Sequence, residues 1–113
     1  MATPIRGEVW TVDLNPVRGL KQVDLKPALV VSVNLFNRGP AGLAVVLPLS
    51  TQSANVPFHL PVEPPEAGLK EQSFIQCEDV RSVSKQRLIR RWGSVSAATM
   101  ELVEDRLRIL FDL

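Results

Sequence analysis

The apolar residues of this chain keep a strand-like spacing for most of its length and change it once. Up to Trp92 they fall in brief alternating or β-branched runs broken by Pro, Gly, Asn and Ser. After Ser96 the spacing becomes helical, with Met100, Val103, Leu107 and Leu110 or Phe111 on one stripe. A two-residue period belongs to strands and a 3.6-residue period to helices. Several short strands followed by one helix predict a mostly β fold: a small, strongly bent antiparallel sheet or barrel with a C-terminal α-helix packed on it. Spacing alone does not choose between barrel and sandwich.

The strands can be placed. In residues 8–14, Val9, Thr11 and Asp13 fall on one face and Trp10, Val12 and Leu14 on the other, which reads as a half-buried strand stopped by Asn15-Pro16. Residues 17–25 hold Gly19 and mixed charge and read as a loop. Residues 28–33 are almost continuously apolar and predict a central strand opened by Pro27, where a strand tolerates proline. Further strands are expected at 43–49, 58–62, 73–78, 80–83 and 89–92, with turns carrying helical character at 34–40 and 84–88. Ser96 suits the N-cap of the final helix, and Glu104 and Arg108 form an i,i+4 pair. Leu102 and Ile109 lie off the apolar stripe and point to a partner surface.

At 113 residues, with 45% apolar content, the chain predicts one domain (1–113) with a real core. A net charge of +1 excludes a uniformly basic coat but allows a local basic face. The single Cys77 cannot pair internally, which favours a reducing, cytoplasmic setting. No run approaches the length of a membrane span, and no signal-like segment opens the chain. One His and one Cys make no zinc site, so neither metal nor cofactor is expected.

Polar residues collect at strand ends. Arg18, Lys21 and Lys26 fall in or beside the loop after the first strand, and suit either a bound phosphate or plain solvation. Lys26 abuts Pro27 and the central strand, which predicts partial desolvation and a stronger field. Ser50 and Thr51 can donate to a phosphate oxygen or cap local backbone. His59 is the one group that ordinarily titrates near neutrality. Near the fifth strand, Glu78 suits a general base and Arg81 a phosphate partner, or the two belong to surface ion pairs. Lys85, Arg87, Arg90 and Arg91 run up to Trp92, and cations beside an aromatic suit single-stranded RNA or, equally, a solvated face.

The order of pieces is more specific than any one of them. Arg6-Gly7-Glu8-Val9-Trp10, Asp13-Leu14-Asn15-Pro16, a Gly-containing loop ending in Gln22, Lys26-Pro27-Ala28-Leu29-Val30-Val31, Phe36-Asn37, Val46-Leu47-Pro48-Leu49-Ser50, Asp79-Val80-Arg81-Ser82-Val83 and Lys85-Gln86-Arg87-Leu88 follow one another. In this the chain resembles the MazF/PemK family of toxins from type II toxin–antitoxin systems, from Arg6 to the final helix. The resemblance implies an SH3-like barrel, a homodimer, and a cognate antitoxin whose acidic segment covers the RNA groove. It implies a metal-independent, sequence-specific endoribonuclease (mRNA interferase) acting on single-stranded RNA. There the 2′-hydroxyl attacks the adjacent phosphorus and leaves a 2′,3′-cyclic phosphate. Carried over by position, Lys26, Ser50 and Glu78 are the expected catalytic residues. Arg18, Lys21, Gln22, Thr51, His59, Gln76, Arg81 and Arg87 are the expected RNA contacts.

The chain departs from the family pattern where it matters. Lys26 replaces an Arg, a point charge in place of a two-pronged donor, and Ser50 replaces a Thr. Lys21 reverses a loop acid, Asp24 and Leu25 replace small residues, and Gln76 stands where some members carry Arg. Two alternatives follow: a weakened relative that binds RNA and antitoxin without efficient cutting, and a toxin of the same fold that inhibits DNA gyrase.

Overall fold

The computed structural model describes residues 3–15, 24–53 and 55–113. One antiparallel seven-stranded sheet contains β1 (Glu8–Asp13), β2 (Leu25–Val30), β3 (Leu43–Ser50), β4 (His59–Val62), β5 (Ser73–Gln76), β6 (Arg81–Ser84) and β7 (Leu88–Ser94). A short helix α1 (Asn34–Arg38) links β2 to β3, and α2 (Ala97–Phe111) follows β7. Neighbours run β4-β5-β3-β2-β1-β7, with β6 also paired to β3.

Strand β3 serves three partners. One edge pairs with β2 through Val46, Leu47 and Pro48. The other pairs first with β6, from Leu43 to Val46, and then with β5 at Leu49 and Ser50. The handover falls at Leu47 and Pro48, where proline has no N–H to offer a ladder. The same edge of β3 thus serves β6 and then β5 in turn.

Among the described residues no ladder joins β4 to β7, so the expected barrel is an open, curled sheet. The 3₁₀ turn Glu66–Gly68 packs against β7 instead. A Cβ at Gly93 would lie 2.8 Å from the Ala67 carbonyl carbon, and one at Gly68 would lie 2.5 Å from the Trp92 oxygen. Gly68 also has φ +73°, so glycine is required there twice over.

Strand β1 is buried on both faces, not one. Val9, Leu29 and Leu47 stand opposite one another in register and join Leu49, Leu60, Ile75, Met100 and Val103 in one core. Trp10, Val12, Leu14, Ala28 and Val30 form a second core, covered by Val83 of β6 and Leu88 of β7. Strand β2 also starts earlier than expected. Asp13 pairs with Leu25 and Val12 with Lys26, so β1 draws both residues into the ladder ahead of Pro27.

Helix α2 begins where expected. Ser96 Oγ accepts the Thr99 N–H at 3.1 Å, the N-cap bond predicted from sequence. A second cap comes from the 66–68 turn, where Glu66 Oε2 accepts from the Ser96 N–H (2.9 Å) and the Thr99 hydroxyl (2.6 Å). Burial raises the Glu66 pKa, but these donors outweigh it and hold the carboxyl below its ordinary value. Farther along, Glu104 accepts from Arg6 at 2.8 Å and lies 3.8 Å from Arg108.

The contact of turn on strand yields a stability prediction. Gly93→Ala lowers the free energy of unfolding by roughly 1–3 kcal/mol, because the new methyl meets backbone that cannot rotate away. Urea denaturation of both proteins measures it, and an unchanged midpoint would show that the contact is looser than described.

Candidate functional site

Two clefts open along the end of β3 and share a wall. The smaller, about 230 Å³, is lined by Lys26, Pro27, Leu49, Ser50, Thr51 and Ser73. The larger, about 440 Å³, shares Pro27, Thr51 and Ser73 and continues to Lys70, Glu71, Arg90 and Trp92. Strand β2 presents Lys26 to the smaller cleft, and the last residue of β3 presents Ser50.

Ser50 Oγ accepts the Gln52 N–H at 3.1 Å. A hydroxyl that accepts this bond keeps its own proton to donate, so Ser50 can point a donor at an anion in the cleft. Lys26 is exposed in this chain rather than partly desolvated: it shares the face of Ala28 and Val30 but stands near the outer end of β2, past the second core.

The cations of the fold divide into two groups. Arg6, Arg81, Arg91, Arg106 and Arg108 meet carboxylates, Lys85 reaches the Asn37 carbonyl, and Arg87 reaches the carbonyls of Asp13 and Asn15. Among the described residues Lys26, Arg38, Lys70 and Arg90 have no such partner, and all but Arg38 line the joined clefts. An unpaired cation in a concave site attracts anions far better than one already neutralised.

The expected site residues fall into separate places. Lys26, Ser50 and Thr51 come together. His59, Gln76 and Glu78 form a second group: His59 and Gln76 face each other across β4 and β5, and His59 Nε2 lies 2.8 Å from Glu78 Oε2. None of the three lines either cleft. The His59 side chain is 6% exposed, and its buried Nδ1 has no hydrogen-bond partner among the described residues. Arg81 makes a two-pronged bond to Asp79 at 2.9 and 3.0 Å, and these bonds raise its pKa further. It shares a third recess, about 380 Å³, with Leu14, Ser84 and Arg87. The positions of Arg18, Lys21 and Gln22 lie outside the described residues.

Sequence reasoning placed Arg90 and Trp92 in a basic, aromatic segment but did not tie them to Ser50, and it passed over Lys70, Glu71 and Ser73. Long-range ladders bring Arg90 and Ser73 there, Arg90 through Thr11 to Pro27 and Ser73 through the pairing of β5 with the end of β3, while the 66–68 turn packed on β7 precedes Lys70 and Glu71. Among the described residues no group of three or more His, Cys, Asp or Glu side chains is placed to hold a metal ion, and no helix is long and apolar enough to cross a membrane.

Cys77 lies in the first core at 0% exposure. Burial, with a smaller push from Glu78, raises its thiol pKa to about 12. A thiolate is the reactive form, so the native thiol is inert. A disulfide reagent at pH 8 is expected to leave folded protein unmodified and to label one thiol per chain in denaturant. Rapid labelling of the folded chain would contradict this burial.

Four similarities bear on this site. Residues 5–111 match the family described as PemK-like, MazF-like toxin of type II toxin-antitoxin system. The chain is 36% identical to Endoribonuclease MazF9 of Mycobacterium tuberculosis, covering 96% of each protein. It is 30% identical to Endoribonuclease EndoA of Bacillus subtilis, covering 92% of this chain and 90% of that one. Its fold superimposes on an endoribonuclease in complex with its cognate antitoxin from a mycobacterial species, at a TM-score of 0.78 and 26% identity. That match covers 100% of this chain and 97% of the other.

Proposed function

The chain belongs to the PemK-like, MazF-like toxin family of type II toxin–antitoxin systems, and on that premise we propose that it is a sequence-specific endoribonuclease acting on single-stranded messenger RNA in the cytoplasm. The whole chain, 1–113, is read as the one toxin domain. The observation that carries the reading is the unpartnered Lys26 ammonium beside the Ser50 hydroxyl in one cleft.

The chemistry follows from those two groups. A bond forms from the 2′-oxygen to phosphorus as the bond to O5′ breaks. The 2′-hydroxyl gives up a proton to solvent, and O5′ gains one. Negative charge grows on the phosphorane oxygens, where a lysine ammonium and a serine O–H provide fixed, positively polarised donors. Lysine can also hand a proton to the leaving O5′, which supports turnover despite the lost arginine fork. Glu78, paired with His59 beyond the cleft, is assigned to the flanking RNA path rather than to the reacting atoms. Gln76, Arg81, Arg87 and the loop residues Arg18, Lys21 and Gln22 belong to that same path.

A dimer is part of the proposal. Leu102 and Ile109 on α2 are 52% and 61% exposed, as their off-stripe positions predicted. Covering them with a second copy removes apolar surface from water. Light scattering at micromolar concentration is expected to give twice the chain mass, and Leu102→Lys with Ile109→Lys is expected to give the monomer. A monomeric wild type would remove this part of the reading. A cognate antitoxin with an acidic segment is the other partner, and the smaller cleft, which holds the unpaired Lys26 and no carboxylate, supports that reading.

Cleavage of a long single-stranded RNA in EDTA tests the activity. Lys26→Ala and Ser50→Ala are each expected to lower kcat/KM roughly 100-fold, the effect of removing one preorganised donor. Lys26→Arg is expected to retain cleavage. If neither alanine variant differs from wild type, the reaction does not run at this cleft.

A further inference from the structure

The larger cleft has no task in the reaction just described, yet it is the better-built of the two. Trp92 lines it half-buried, with its indole N–H donating to Thr11 Oγ1 at 2.6 Å, so the ring is held in one orientation. The opposite wall, Leu69 to Glu71, is pressed toward β7 by the Gly68–Gly93 contact and tied to α2 through Glu66. Its volume of about 440 Å³ lies within the range of roughly 300–1,000 Å³ typical of small-ligand sites. Arg90 and Lys70 stand at it without partners, and Glu71 supplies one carboxylate.

We propose that this cleft is a nucleotide subsite for one unpaired base of the strand whose neighbouring phosphate sits at Lys26 and Ser50. The base stacks on Trp92, and the flanking backbone phosphate meets Arg90 and Lys70. The proposal rests on the endoribonuclease reading and adds to it a place where sequence is sampled. Continuity decides the occupant, since Pro27, Thr51 and Ser73 belong to both clefts, so that they adjoin. Chemistry decides it too. An acidic peptide segment would gain from the two cations but nothing from an aromatic wall, and Glu71 would repel it. A base gains from stacking, and Glu71 accepts hydrogen bonds from an exocyclic amino group. The subsite therefore favours cytosine, adenine or guanine over uracil.

Tryptophan emission during titration with short, uncleavable 2′-O-methyl RNA oligonucleotides of mixed sequence provides the test. Bound RNA is expected to quench Trp92, leaving the buried Trp10 as an internal reference. Arg90→Gln and Lys70→Gln alter exposed side chains that bind nothing in the fold. Each is expected to weaken binding several-fold and to reduce the slope of log K against log salt by about 1. Trp92→Leu is expected to weaken binding about 5- to 100-fold, in line with the loss of one stacked base. Its thermal midpoint shows whether the fold survives. An oligouridine is expected to bind more weakly than an oligocytidine.

Three results would overturn the subsite. Wild-type affinity and salt slope in the Arg90, Lys70 and Trp92 variants, with Lys26→Ala still deficient in cleavage, would remove it and leave the activity standing. Quenching by polyglutamate with none by RNA would give the cleft to an acidic peptide. No RNA binding and no cleavage by wild type would remove subsite and activity together.

Discussion

The backbone of the 66–68 turn lies against the backbone of β7 with no room for a Cβ between them, and much of the molecule is arranged by that contact. The sheet is open, so hydrogen bonds do not fix the distance between its β4–β5 arm and β7. Backbone packing does. From the same turn, Glu66 caps α2, so one short segment sets both the width of the larger cleft and the start of the helix that covers the first core. Val9, Leu29 and Leu47 on one face, and Trp10, Ala28 and Val30 on the other, make the centre of the sheet rigid enough to carry Lys26 and Ser50 at its end.

Function follows from where the fold spends its charges. Most described cations are bound: Arg91 to the buried Glu8, Arg6 to Glu104, Arg81 to Asp79, Arg87 to carbonyls at the end of β1. Those interactions hold segments together. Lys26, Lys70 and Arg90 hold nothing, and they share one groove with Ser50, Thr51 and Trp92. A chain with net charge +1 thus presents a local anion-attracting path without being basic as a whole. The proposed cleavage draws on that arrangement, with Lys26 and Ser50 at the smaller cleft.

The sequence made local features readable and left non-local ones hidden. Ser96 announced the helix cap because hydroxyl, backbone donor and apolar stripe lie within a few residues of each other. Leu102 and Ile109 were legible as exposed for the same reason. The two-sided burial of β1 was not, because Val83 and Leu88 reach its second face from far along the chain. The early start of β2 was hidden too, since a ladder partner, Asp13, decides it rather than Pro27. Lys26 and Ser50 were proposed from their position in a familiar order of segments, and the fold sets both at one cleft. Trp92 and Arg90 were noticed as types but could not be joined to Ser50, because the ladders that carry β7 across β1 and β2 to β3 pair residues far apart in the chain.

The central claim is that the cleft at Lys26 and Ser50 directs an in-line attack by the 2′-hydroxyl. End-group analysis of RNA cut by the purified protein in EDTA tests it most directly. The account predicts discrete fragments ending in a 2′,3′-cyclic phosphate and beginning with a 5′-hydroxyl. Fragments ending in a 3′-hydroxyl and beginning with a 5′-phosphate would contradict it.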